Sequence, residues 1–171
     1  MPIEKLAGTD RRSIGLANEI AEEIAADQAR FDEVFAALFL DDPVVRMRAA
    51  DAIEKASRRC PERLHPHRRA LLDLSETEQQ EVRWHVAQML PRLALTEAER
   101  RRAFGVLEAY RRDASTIVRV NALEALVVMA RGDADWEARA RHHLEEASRS
   151  SAPAERARAR KLSRGPSGRR K

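Results

Sequence analysis

The chain has 171 residues, of which 43% are apolar, 35% charged and only 4% aromatic, enough for one domain with a real core. Its single cysteine, Cys60, excludes an intramolecular disulfide framework and suits a reducing cytoplasm. The formal charge of +4 hides an asymmetry: residues 156–171 hold eight bases and no acid, while the other 155 carry 24 bases against 28 acids, so the body is mildly acidic and only the C-terminal segment is basic.

Ala, Leu, Arg and Glu dominate, and all four favour helices. No alternating run of useful length argues for a strand, which predicts an all-α chain. The segment Met1–Lys5 lacks the basic and apolar regions of a signal peptide. The apolar stretches 34–40 and 125–130 are too short to span a bilayer. The expectation is a cytoplasmic protein without membrane contact.

In chain order, a first helix is expected near 10–26, with Ile14, Ala17, Ile20 and Ile24 on one face, and its partner missing or reduced to residues 2–7. Phe31, Val34, Phe35, Leu38 and Phe39 form the next apolar face. Asp42-Pro43 pairs an N-cap with a proline at the first helical position and opens a helix over 43–58. Pro66 to Leu74 gives another short helix. Thr77-Glu-Gln-Gln80 reads as a capping box before a helix near 78–93. Thr96-Glu-Ala-Glu99 reads likewise before 100–111, with Phe104, Leu107 and Tyr110 at helical spacing. Asp113 or Ser115 caps a helix over 116–131. Trp136, Ala140 and Leu144 mark one more. Pro153 to Leu162 is Ala/Arg-rich with little to bury and should be marginally helical, and 164–171 should be a disordered basic tail.

A period runs through these elements. Val-Arg recurs at 45–46, 82–83 and 118–119, with arginine steps of 37 and 36 residues, and one more step of 37 reaches Arg156. Around each pair the apolar residues fall on one helical face: Val45/Ala49/Ala52/Ile53, Val82/Val86/Met89/Leu90 and Val118/Ala122/Ala125/Leu126. A fixed period of this length marks a stacked helical array.

The pattern Asp-Pro-Val-Val-Arg-x-x-Ala-Ala-x-Ala-Ile at 42–53, and Val-Arg-x-x-Ala-Leu-x-Ala-Leu at 118–126, resembles the second helix of a HEAT repeat, of the armadillo-like helical class and the small bacterial type. The likeness covers roughly residues 9–162. It implies a right-handed α-solenoid of about four helical hairpins in one domain over 1–163. It also implies ladders between turn aspartates and second-helix arginines, here Asp41 or Asp42 with Asp113 as acids and Arg46, Arg83, Arg119 and Arg156 as bases. The middle copy has Thr77 or Glu78 in place of the aspartate. Regular spacing favours this structural role for the arginines over a phosphate-binding stripe.

Two positions after each arginine come Arg48, His85, Asn121 and Arg158, and three further on Asp51, Gln88, Glu124 and Lys161. In a HEAT-like array these would form a polar strip on the concave side. Beside it runs an apolar row, Met47, Trp84 and Val120. A partly exposed Trp is a favoured binding anchor, although a two-sided helix needs apolar side faces, which favours packing of Trp84 between repeats. Met47, Arg48, Trp84, His85, Val120 and Asn121 are therefore the candidate partner-binding residues.

The chemistry-bearing motifs are few. His65-Pro66-His67 with Cys60 has a metal-like look, but zinc needs three or four converging ligands, so neither a metal nor a cofactor is expected. No Gly-rich phosphate loop, Gly-x-Ser-x-Gly or Cys/His pairing is present. The His-Glu dipeptides of one iron-binding HEAT-like branch are absent. A HEAT-like alkyl-base DNA glycosylase would need a basic groove, with Trp84 and Asp51 imaginable in its roles, and the acidic body disfavours it. The leading expectation is a non-catalytic scaffold binding another protein on its concave face. The alternative is weak nucleic-acid contact through Arg158, Arg160, Lys161, Arg164, Arg169, Arg170 and Lys171.

Overall fold

The computed structural model describes Leu6 and residues 17–164, and these are all-helical with no strand. Arg169, Arg170, Lys171 and most of the expected tail lie outside the described residues, as does the first part of the helix expected near 10–26. The chain divides into two compact units, Met1–Thr96 and Glu97–Lys171.

The first unit contains α1 (Ala17–Ala26), α2 (Gln28–Ala36), α3 (Pro43–Arg59), α4 (Arg68–Leu74) and α5 (Gln80–Met89), with 3-10 turns at Ala37–Phe39, Pro61–His67 and Leu90–Arg92. The Val-Arg helix α3 packs on α1 and on α5, and α2 lies against α1 and α3. Asp27 opens α2 by accepting from Ala29 N at 2.8 Å. Asp42 opens α3 by accepting from Val44 N at 2.8 Å and Val45 N at 3.3 Å, ahead of Pro43 at the first helical position. Val45, Ala49, Ala52 and Ile53 are buried on α3, as are Ile20 and Ile24 on α1 and Val82 and Val86 on α5.

Both boundaries of α5 differ from those expected. The helix expected near 78–93 starts at Gln80, because Thr77 Oγ1 accepts from Gln79 N at 3.4 Å and so shapes the turn instead of capping the helix. It ends at Met89 because Pro91 has no N–H to continue the ladder, leaving one 3-10 turn.

The second unit contains α6 (Glu97–Tyr110), α7 (Thr116–Met129), α8 (Ala134–Ser148) and α9 (Pro153–Ser163). The Val-Arg helix α7 packs on α6, α8 and α9, and α8 also packs on α9. Trp136 stacks on Phe104 at 4.4 Å between ring centroids, and the Arg100 guanidinium lies 4.8 Å from the Trp136 ring. Gly132, at φ +82°, turns the chain into α8 in a conformation that side chains oppose. Asp133 then caps α8 through Trp136 N at 3.1 Å.

The C-terminal helix corrects an expectation. Far from having little to bury, α9 sets Ala159 and Leu162 on Leu123, Leu144 and Ala147. Its acid Glu155 is buried as well.

Candidate functional site

The repeat arginines serve their own turns. Arg83 Nη1 donates to Thr77 O at 3.0 Å and to Glu78 O. Arg119 Nη1 donates to Asp113 O at 2.7 Å and Ala114 O at 3.0 Å. Arg156 Nη1 donates to Ser150 O at 2.7 Å and Ser151 O at 2.8 Å. In all three copies the acceptors are the carbonyls six and five residues upstream, so one guanidinium ties the turn to the helix it precedes. Arg46 is partly buried, and its Nε has no hydrogen-bond partner among the described residues. Asp42 spends its carboxylate on the N-terminus of α3, and Asp113 accepts from Ser115 N at 2.8 Å.

The polar strip is not uniformly open. Arg48 is 5% exposed and donates from Nη1 to Leu6 O at 2.9 Å. His85 is 8% exposed, with Nδ1 3.1 Å from Gln88 Oε1. Both therefore lie within the packing of the first unit, where neighbouring helices cover the flank of the core face. A surface strip containing Arg48 and His85 is thus corrected to buried seam positions. Burial pushes the His85 imidazole below its ordinary pKa, and the negative charges of Asp51 and Glu54 only partly offset this.

The apolar row is more open. Met47 on α3 and Trp84 on α5 are half-buried, between neighbours on the same pair of packed helices. The Trp84 ring lies tilted to His85 at 5.6 Å. Asp51, one turn beyond Met47, pairs with Lys55 at 2.7 Å. In the second unit Val120 and Asn121 are half-buried on α7, with Asn121 Nδ2 donating to Ile117 O at 3.0 Å. Ile117 and Val128, on the same helix, are exposed.

Two charge clusters went unnoticed in the sequence. Buried Glu54 receives Arg92 Nη2 at 2.6 Å and Arg58 Nη2 at 2.8 Å. Buried Glu155 receives Arg111 Nη1 at 2.9 Å, Arg119 Nε at 3.4 Å and the Ser150 hydroxyl at 2.5 Å. Burial alone would raise both carboxyl pKa values, but these hydrogen bonds and positive charges outweigh it and hold both below the usual range. A signal for Glu155 was available: it occupies the register position of Val45, Val82 and Val118. Its pair with Arg119 also links one repeat arginine to a carboxylate in the following copy. Around this cluster lies a cleft of about 540 Å³ lined from all four helices of the second unit.

The remaining candidates scatter. Of the basic residues on α9, Arg158 pairs with Glu124, while Arg160 and Lys161 are exposed, as is Arg164 just past the helix. His67 Nε2 bonds Asp32 Oδ1 at 2.7 Å and stacks on Phe35 at 4.1 Å. Cys60 Sγ donates to Ala25 O at 3.5 Å. Among the described residues no three His, Cys, Asp or Glu side chains converge as a metal site would require.

No family model matches the chain, and neither does any curated protein. Among solved structures it is similar to an engineered protein, with a TM-score of 0.62 at 17% identity, over 92% of this chain and 74% of that one. At that identity the likeness speaks to the helical fold alone.

Proposed function

We propose that the chain is a HEAT-like helical-repeat scaffold, non-catalytic and cytoplasmic, that binds a protein partner over its second helices, centred on Met47 and Trp84. The observation that carries this reading is the half-buried Trp84 in register with Met47 on the adjoining helix. A half-buried indole supplies contact area at little entropic cost. The identical arginine staple at Arg83, Arg119 and Arg156 supports the repeat reading. A photo-crosslinking side chain at Gln88, one turn from Trp84, should trap one defined protein from cells. The same group at Arg101, an exposed residue of α6, should not. Trp84→Ala should abolish trapping with little change in the thermal melt; equal trapping by the variant ends the proposal.

A second reading, polyanion contact, has its own observation. Arg160 and Lys161 near the end of α9 and Arg164 just past it are all exposed, and the sequence adds Arg169, Arg170 and Lys171 beyond them. Each phosphate neutralised should steepen the salt dependence of binding. A triple Ala variant at 160, 161 and 164 should lower the salt slope in a duplex-binding titration. An unchanged slope, or no binding by the full chain at low salt, rejects it.

A further inference from the structure

Among the described residues four large apolar side chains are exposed, and two of them, Ile117 at 52% and Val128 at 38%, lie on α7. They are separated by about three turns, roughly 16 Å of helix, and point within about 20° of each other around its axis. Val120 and Val127 lie beside them and are half-buried. These two flank the side of α7 on which Leu123 receives Ala159 and Leu162 of α9. The result is an aliphatic strip running the length of α7 next to α9.

The polar side chains within the strip are already engaged. Asn121 Nδ2 donates to Ile117 O at 3.0 Å. Glu124, the one acid of α7, pairs with Arg158 of α9. That ion pair cancels the acid and places the strip and this flank of α9 on one surface. One turn past Arg158 comes Lys161, and another turn on comes Arg164, both exposed. Neither has an ion-pair partner among the described residues. The strip therefore has an uncompensated positive shoulder and no unpaired acid of its own.

We propose that α7 and this flank of α9 form a docking surface for an acidic amphipathic helix of a partner protein. Its aliphatic side chains, at helical spacing, cover the strip from Ile117 to Val128, and its carboxylates face Lys161 and Arg164. A nucleic-acid backbone would use the two cations and gain nothing from the strip. Surfaces that enter a membrane carry protruding aromatic or leucine side chains, and the strip holds only valine and isoleucine. The proposal deepens the protein-partner reading but uses the second unit alone, so it and the Met47–Trp84 surface can fail separately.

The test titrates full-length protein into a labelled helical peptide, with leucines along one face and glutamates on its flanks, and reads fluorescence anisotropy. A second peptide carries lysine in place of each glutamate. The glutamate peptide should saturate and bind roughly tenfold more tightly than the lysine peptide. Ile117→Ser and Val128→Ser, both at exposed positions, should each weaken it several-fold. Lys161→Glu combined with Arg164→Glu should reverse the preference between the peptides. No saturable binding, equal affinity for the two peptides, or affinity unchanged in both serine variants overturns the proposal. A short DNA duplex and phosphatidylserine vesicles are the competing probes. Duplex binding that depends on Lys161 and Arg164 but not on Ile117, or vesicle binding lost in the serine variants, in place of peptide binding, also overturns it and assigns the surface to that partner.

Discussion

Arg111 and Glu155 form an ion pair at 2.9 Å in which the side chains are only 6% and 5% exposed. The pair joins the end of α6 to the start of α9, and Arg119 shares the same carboxylate. Removing one partner strands buried charge, which typically costs about 3–5 kcal/mol. Glu155→Val restores the valine of the other copies, yet it should be destabilising on that scale. Arg111→Met added to Glu155→Val should recover part of the loss. Denaturant titration of the four proteins in the cycle checks this, and simple additivity would contradict it.

Glu54 and Arg92 make the corresponding tie in the first unit, at 2.6 Å. Both Glu54 and Glu155 have carboxyl pKa values lowered from 4.5. On acidification the unfolded chain therefore takes up these protons first. Their contribution should be complete above about pH 4.5 and vanish as pH falls through the lowered folded values. Thermal melts of wild type and Arg92→Met from pH 7 to pH 2.5 should converge toward the acid end. A constant gap would show that the pair does not titrate as described.

His85 titrates with the opposite charge change and the same direction of pH dependence. Its folded pKa lies below the ordinary 6.5, so the unfolded state binds the extra proton. Stability should be full above about pH 6.5 and decline as pH falls, by at most ~1.4 kcal/mol per pH unit from this one group. His85→Leu should flatten the profile between about pH 6.5 and the onset of carboxylate titration near the 4.5 of Glu54. An unflattened profile would contradict the assignment of this slope to His85.

The two tryptophans should behave differently. Trp136 is 7% exposed and stacked on Phe104, so Trp136→Ala should cost about 3–5 kcal/mol. Trp84 is half-buried, and Trp84→Ala should cost clearly less. Acrylamide should quench Trp84 in a Trp136→Phe protein more strongly than Trp136 in a Trp84→Phe protein. Equal quenching would argue against Trp84 as a surface anchor.

The arginine staple predicts that geometry matters more than charge. Arg83 reaches two carbonyls, Thr77 O and Glu78 O, from one terminal nitrogen. Arg83→Lys keeps the charge but loses the planar donor fork, and should cost about 1–2 kcal/mol. A melt identical to wild type would demote the staple to a surface contact.

The chain by itself determined the helical class, most helix boundaries and the period, because those depend on neighbours within a turn. Asp42 and Pro43 announce α3, Asp133 precedes α8, and the apolar stripe through Val82, Val86 and Met89 marks the inner face of α5. Even the early end of α5 was written in Pro91. The site was less legible. A residue on the flank of a core stripe is open or covered according to which helix lies beside it, and no local spacing encodes that neighbour. Arg48 and His85 therefore read as surface and proved buried, while Met47 and Trp84, one residue earlier in the same register, stayed half open. Glu155 makes the same point: it belonged to a segment, 153–162, that was expected to have little to bury. Only tertiary packing put Glu155 between Arg111 and Arg119, where burial strengthens the charges that hold α9 and shape the cleft beside it.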